Sequence, residues 1–155
     1  MNPEAYAKGR TESEQQIALF MWASLPETRE RYPELRWLHH CPNGGSRGDS
    51  ARSAAIAGGR LKAEGVKPGV PDLFLPVPTN CHMLDGAIWA DKVWPVNGSV
   101  ICGLYIEMKA PGKKSQTSDE QKEFIAHHRN LGYACVVCDS YHEARFYIEQ
   151  YLGVR

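Results

Sequence analysis

Apolar residues recur at helical intervals near the start of the chain. Thr11-Glu12-Ser13-Glu14 has capping-box spacing, and Ile17, Phe20, Met21 and Leu25 follow it, which predicts a helix ended by Pro26. Trp37 to Cys41 reads as a short strand, stopped by the turn Pro42-Asn43-Gly44-Gly45. Asp49 or Ser50 then caps a second helix through Ala54, Ala55, Ile56 and Leu61, with Gly65 as its stop, although Gly58-Gly59 works against it. Leu73-Phe74-Leu75 reads as a buried strand entered through Gly69-Val70-Pro71-Asp72. Val100 to Lys109 is the clearest strand, broken by Ala110-Pro111-Gly112. Thr117 or Ser118 caps a third helix that carries Phe124, Ile125 and Leu131 and closes at Gly132. Tyr133 to Cys138 is an apolar strand, and Ser140 with Glu143 opens a final helix that ends near Gly153.

Helices and strands mixed in this order predict an α/β fold, a central sheet covered by helices. At 155 residues the chain has the size of one domain with its own core. The Pro- and Gly-interrupted excursion from Pro76 to Ser99 holds a hairpin around Ile88 to Trp94 on this reading, with residues 77–99 as an insertion. It reads either as a passive surface insertion or as an added piece for dimer contact or substrate choice.

Composition narrows the class. At 43% hydrophobic and 23% charged, the chain is neither fibrous nor disordered. No apolar run reaches the roughly 20 residues that span a bilayer, and the first ten residues lack the apolar core of a secretory signal. The expectation is a soluble protein of a reducing cytoplasm, in a bacterial or phage-infected cell. Its five cysteines (41, 81, 102, 135 and 138) fit as reduced thiols.

The chemistry concentrates in Pro71-Asp72 at the start of one strand and Glu107-Met108-Lys109 at the end of another. Strand periodicity puts Glu107 and Lys109 on one face and Met108 on the other. Two carboxylates brought together from neighbouring strands suit a hard cation such as Mg²⁺ or Mn²⁺. An ammonium beside them can orient a water or stabilise charge on a phosphate. The same residues also fit an ordinary salt bridge, but Ile101, Leu104 and Ile106 make the strand apolar, so its terminal charges need a reason.

Three runs together, Gly65 to Leu73, Tyr105 to Gly112 and Ser118 to Gln121, closely resemble the VRR-NUC nucleases of the PD-(D/E)xK superfamily. Pro42-Asn43-Gly44-Gly45 and Arg47 are similar to the pattern of that family too. The resemblance runs from about Glu14 to Leu152. It implies a restriction-endonuclease-like αβββαβ core with a mixed central sheet, and a metal-dependent nuclease. By position, Asp72, Glu107 and the carbonyl of Met108 would hold Mg²⁺ or Mn²⁺, and Lys109 would serve the attacking water. Glu14 matches an acidic residue that the family supplies from its first helix, or else it is only the capping-box partner of Thr11. Gln121 matches a helix glutamine near the active site, or else it is only a cap for Ser118. Small standalone relatives imply a homodimer acting on branched DNA, such as a four-way junction. Flap or duplex-end cutting, and an idle binding module of the same fold, are the alternatives.

The formal net charge is zero, with 18 basic and 18 acidic residues, which excludes a partner held by bulk charge alone. The distribution is uneven. Residues 36–70 carry six basic side chains (Arg36, Arg47, Arg52, Arg60, Lys62 and Lys67) against Asp49 and Glu64, a surplus just ahead of Asp72. Asn43, Arg47, Arg52, Arg60, Lys62 and Lys67, with Lys113 and Lys114 beyond the second motif, are the candidate DNA contacts. A zinc site from Cys135, Cys138 and His39-His40-Cys41 competes on spacing alone. Residues three apart on a strand face opposite sides, so buried thiols are the favoured reading.

Overall fold

The computed structural model describes residues 2–42, 58–81, 84–89, 91–92 and 100–153. In chain order the elements are α1 (Pro3–Ala7), α2 (Glu12–Ala23), α3 (Pro26–Arg31), a 3-10 turn (Pro33–Trp37), β1 (His39–His40), α4 (described over 58–63), β2 (Leu73–Leu75) and β3 (Thr79–Asn80). They continue with α5 (Gly86–Trp89), β4 (Val100–Ile101), β5 (Leu104–Met108), a 3-10 turn (Lys114–Gln116), α6 (Asp119–Asn130), β6 (Ala134–Cys138) and α7 (Tyr141–Leu152).

The main sheet has the order β1-β2-β5-β6. Its first three strands are antiparallel, and β6 runs parallel to β5 after the α6 crossover. This is the expected mixed sheet and αβββαβ core, and a parallel strand must start from the opposite end of the sheet, so a crossover, here α6, intervenes before β6.

Strand alternation divides the sheet into two unlike faces. Leu73, Leu75, Leu104, Ile106, Met108, Ala134, Val136 and Cys138 are buried together with Leu19, Trp22, Tyr141 and Ile148 of α2 and α7. Burial of each large side chain contributes about 1.5–3 kcal/mol, which makes this face the main source of stability. Phe74 and Tyr105 lie on the opposite face and stack at 4.3 Å, and Phe124 of α6 meets Tyr105 edge-on at 5.1 Å. Cys135 and Cys138 are buried on opposite faces, which disposes of the zinc reading of their spacing.

Several expectations change. A first helix, α1, precedes α2, capped by Asn2 and opened by Pro3 at a position where proline loses no helical hydrogen bond. Pro26 does not simply end α2; it also starts α3. The single strand expected over Val100 to Lys109 is two, β4 and β5, separated at Cys102-Gly103. A Cβ on Gly103 would lie 2.7 Å from the Phe74 ring and 3.0 Å from the Leu75 carbonyl, so the backbone passes there only without a side chain. β4 leaves the main sheet and pairs with β3, Thr79 opposite Ile101.

The hairpin expected at Ile88 to Trp94 is not formed by Ile88 and Trp89, which are helical in α5; Trp94 lies outside the described residues. The described parts of the excursion pack against the rest of the fold. The β3–β4 ladder closes its base, Trp89 is buried against Tyr147 and Tyr151, and the Lys92 carbonyl accepts from the Cys135 amide (3.1 Å) on the outer edge of β6. The second helix is described only over 58–63, where Gly58 and Gly59 are indeed helical. Among the described residues, no helix is long and apolar enough to cross a membrane.

Candidate active site

The β2–β5 register pairs Leu73 with Ile106 and so sets Asp72 across from Glu107 at the end of the sheet. The Asp72 carboxylate accepts a hydrogen bond from the Met108 amide (2.8 Å), and its carbonyl accepts one from the Cys41 amide (2.7 Å). Three strands therefore fix this one residue.

Glu107 is only 1% exposed. Its Oε1 accepts from Lys109 Nζ at 2.6 Å and from the Gln121 side-chain amide, whereas its Oε2 is buried with no hydrogen-bond partner among the described residues. Burial first, and then the charge of Asp72, push its pKa up to about 7 against the opposing pull of Lys109. The short Lys109–Glu107 bond realises the same-face geometry expected from strand alternation.

Gln121 satisfies both of its readings at once. Its Oε1 accepts from the Ser118 amide (2.9 Å) and its own amide donates to Ser118 Oγ (3.2 Å), a complete capping box. Its side-chain NH₂ group, left over from the cap, reaches Glu107.

Glu14 takes the other of its two readings. Its carboxylate accepts from the Thr11 amide (3.0 Å) and hydroxyl (2.6 Å), so the α2 cap consumes it. The acidic residue of α2 that faces the site is Glu12, whose pKa is raised by burial and then by Asp72, against the pull of Lys109. Sequence reasoning missed it, although a signal was present. A capping box turns its fourth residue back on the cap, which leaves the acid two positions earlier free to project.

Asn43, Arg47 and Arg52 lie outside the described residues. Lys62, Lys67 and Lys113 are exposed, as phosphate contacts must be, and Arg60 is exposed but pairs with Glu64 (2.8 Å). Lys114 is exposed too, but its ammonium is held by Glu143 and lies 3.8 Å from Asp139.

Among the described residues, no three His, Cys, Asp or Glu side chains converge into a closed metal cage. The residues present do fit a cation of the Mg²⁺ type, which typically takes one or two carboxylates and keeps water in its other positions. A buried carboxylate oxygen without a partner, beside a second carboxylate, is a costly arrangement unless a positive charge completes it.

The VRR-NUC domain family model matches residues 10–142. A solved structure titled VRR_NUC domain protein superposes with a TM-score of 0.60 at 28% identity, over 94% of this chain and 93% of that one. No curated protein matches the chain. With the motifs and the fold in agreement with both matches, the chain belongs to the VRR-NUC domain family, a family of nuclease type.

Proposed function

We propose that this domain is a Mg²⁺- or Mn²⁺-dependent endodeoxyribonuclease that cuts branched DNA, with four-way junctions as its preferred substrate and a homodimer as its working form. The observation that carries the reading is the buried Glu107 carboxylate, its Oε2 unsatisfied, set beside Asp72 and gripped by Lys109 and Gln121. An idle binding module would have no need to keep this costly arrangement.

Asp72, Glu107 Oε2 and the Met108 carbonyl would hold the cation, and Glu12 of α2 would add negative charge near Asp72. When bound, the cation supplies charge neutralisation at the phosphoryl oxygens and acidifies the attacking water. Asp72 is kept in place by the Met108 amide, so its free oxygen has a defined direction. Gln121 holds the Glu107 carboxylate through Oε1 and leaves Oε2 outside that bond. The Lys109 ammonium orients the water for attack in line with the leaving oxygen and stabilises charge that develops on the phosphate. The exposed Lys62, Lys67 and Lys113 supply phosphate contacts that seat the DNA. Junction preference is supported by the resemblance to small standalone nucleases and by symmetry: a two-fold dimer presents two sites to a two-fold substrate.

The test incubates the purified protein with labelled four-way, flap and linear duplex DNA, with Mg²⁺, Mn²⁺ or EDTA. Junction cutting that needs metal, and that falls at least about a thousandfold in Asp72→Ala and Lys109→Ala, is expected. Undiminished cutting by either variant refutes the mechanism. Equal cutting of flaps or linear duplex removes the junction preference alone, and a monomer by light scattering removes the dimer.

A further inference from the structure

Just beyond the catalytic strand, the chain is tied down by groups that the mechanism above does not use. The turn Ala110 to Lys113 closes with the Lys113 amide on the Ala110 carbonyl (2.9 Å), and Gly112 takes a left-handed φ of +74°. The chain here is fastened to the end of β6 and to the connection that leads from it to α7. The Lys109 amide donates to the Cys138 carbonyl (2.8 Å), and the Gly112 amide donates to Asp139 Oδ2 (3.0 Å). The other Asp139 oxygen lies 3.8 Å from the Lys114 ammonium, which also donates to Glu143 Oε1. Glu143 Oε2 closes the network by accepting from the Asp139 amide (3.2 Å). Glu143 sits in the first turn of α7, where a carboxylate is favoured by the helix dipole.

This network decides between two roles for Lys114. A lysine that grips phosphate needs an unspent charge, but two carboxylates already surround this one. Burial would hold its pKa down, yet Glu143 and Asp139 overcome that and leave it raised. Its neighbour Lys113 is exposed as Lys114 is, but makes no ion pair among the described residues. Adjacent lysines thus have unlike environments.

We infer that Lys114, Asp139 and Glu143 form a clamp that holds the turn after the catalytic strand and so sets the exit of Lys109, with Lys114 a positioning residue and not a DNA contact. Its effect on cutting rests on the nuclease reading above; the clamp itself does not. The three side chains are partly exposed, 42%, 26% and 24%, so each pair alone is weak and the geometry depends on all of them acting together.

The test uses Lys114→Ala, Glu143→Gln, Lys113→Ala and the conservative Lys114→Arg. Three readouts are taken: amide hydrogen exchange at Gly112, the salt dependence of metal-free DNA binding, and kcat and KM for junction cutting. Lys114→Ala and Glu143→Gln are expected to speed Gly112 exchange about tenfold or more and to lower kcat about tenfold, with KM within about twofold. Their salt slope stays at the wild-type value, whereas Lys113→Ala lowers it by about one. The double variant is no worse than either single one, and Lys114→Arg restores Gly112 protection and kcat. Unchanged Gly112 exchange in Lys114→Ala, or a salt slope that drops as it does for Lys113→Ala, overturns the clamp. Faster exchange with unchanged kcat overturns the positioning role. A wild type that cuts no DNA sinks the nuclease reading, and Gly112 exchange then decides the clamp alone.

Discussion

Gln121 donates its side-chain NH₂ group to Glu107 while its side-chain oxygen accepts from the Ser118 amide, so one residue joins the start of α6 to the end of β5. The α6 cap and the orientation of the buried carboxylate are a single arrangement. Ser118→Ala should cost about 1 kcal/mol of stability, read by chemical denaturation, and leave most of the cutting rate. Gln121→Ala should lose a similar stability and, in addition, lower kcat by about 10- to 100-fold with DNA affinity unchanged. Equal kcat losses in the two variants would show that capping alone accounts for the effect.

Glu107 carries a second prediction. A carboxyl group whose folded pKa is raised binds more protons folded than unfolded between its unfolded and folded values. Without metal, therefore, this group makes the protein less stable as pH rises from about 4.5 to about 7. Glu107→Gln removes the buried charge. In EDTA at pH 8 the variant should be more stable than wild type by roughly 2–3 kcal/mol, and the difference should close by pH 4.5. Thermal melts at the two pH values check this. The same variant should not cut DNA.

The two acids of α2 should separate cleanly. Glu12→Gln should lower cutting about 10- to 100-fold and raise the Mn²⁺ concentration needed for half-maximal rate, with little change in melting temperature. Glu14→Ala should lose roughly 0.5–1 kcal/mol through the broken cap and keep its cutting rate. A metal titration of cleavage beside a melting curve for each variant reads out the difference.

Gly69 holds the loop that delivers Asp72 close to α6. Its φ is +82°, and a Cβ there would lie 2.5 Å from the Glu120 carbonyl oxygen, backbone that cannot step aside. Gly69→Ala should cost about 2–4 kcal/mol and separate Asp72 from the Gln121 end of the site, so that cutting falls along with stability. Gly65→Ala is the comparison: its φ is +95° and no described residue crowds a Cβ there, so only the backbone strain remains, about 1 kcal/mol. Denaturation midpoints for the two variants test the difference.

Much of this was legible beforehand because the signals are local. Strand alternation put Glu107 and Lys109 on one face, and their 2.6 Å contact follows from it. Cap spacing placed the starts of α2, α6 and α7 at Thr11, Ser118 and Ser140. The split at Gly103 was not legible, since its cause is the Phe74 ring on a neighbouring strand. Nor was the burial of Trp89, which depends on Tyr147 and Tyr151 of a helix far along the chain.

The sequence by itself determined the starts of α2, α6 and α7 and the shared face of Glu107 and Lys109, because these rest on spacings within a few residues. The αβββαβ order and the choice of Asp72, Glu107 and Lys109 as a site came with the family resemblance. Only the tertiary structure decided that Glu12 faces the site in place of Glu14, that Gln121 serves both cap and carboxylate, and that Lys114 is spent on Asp139 and Glu143. Those outcomes turn on which charges meet across the fold, as when the Asp72 carboxylate finds an amide 36 residues away. Hydrogen bonds and close ion pairs need their partners within about 3–4 Å, so their choice waits on packing that brings distant segments together.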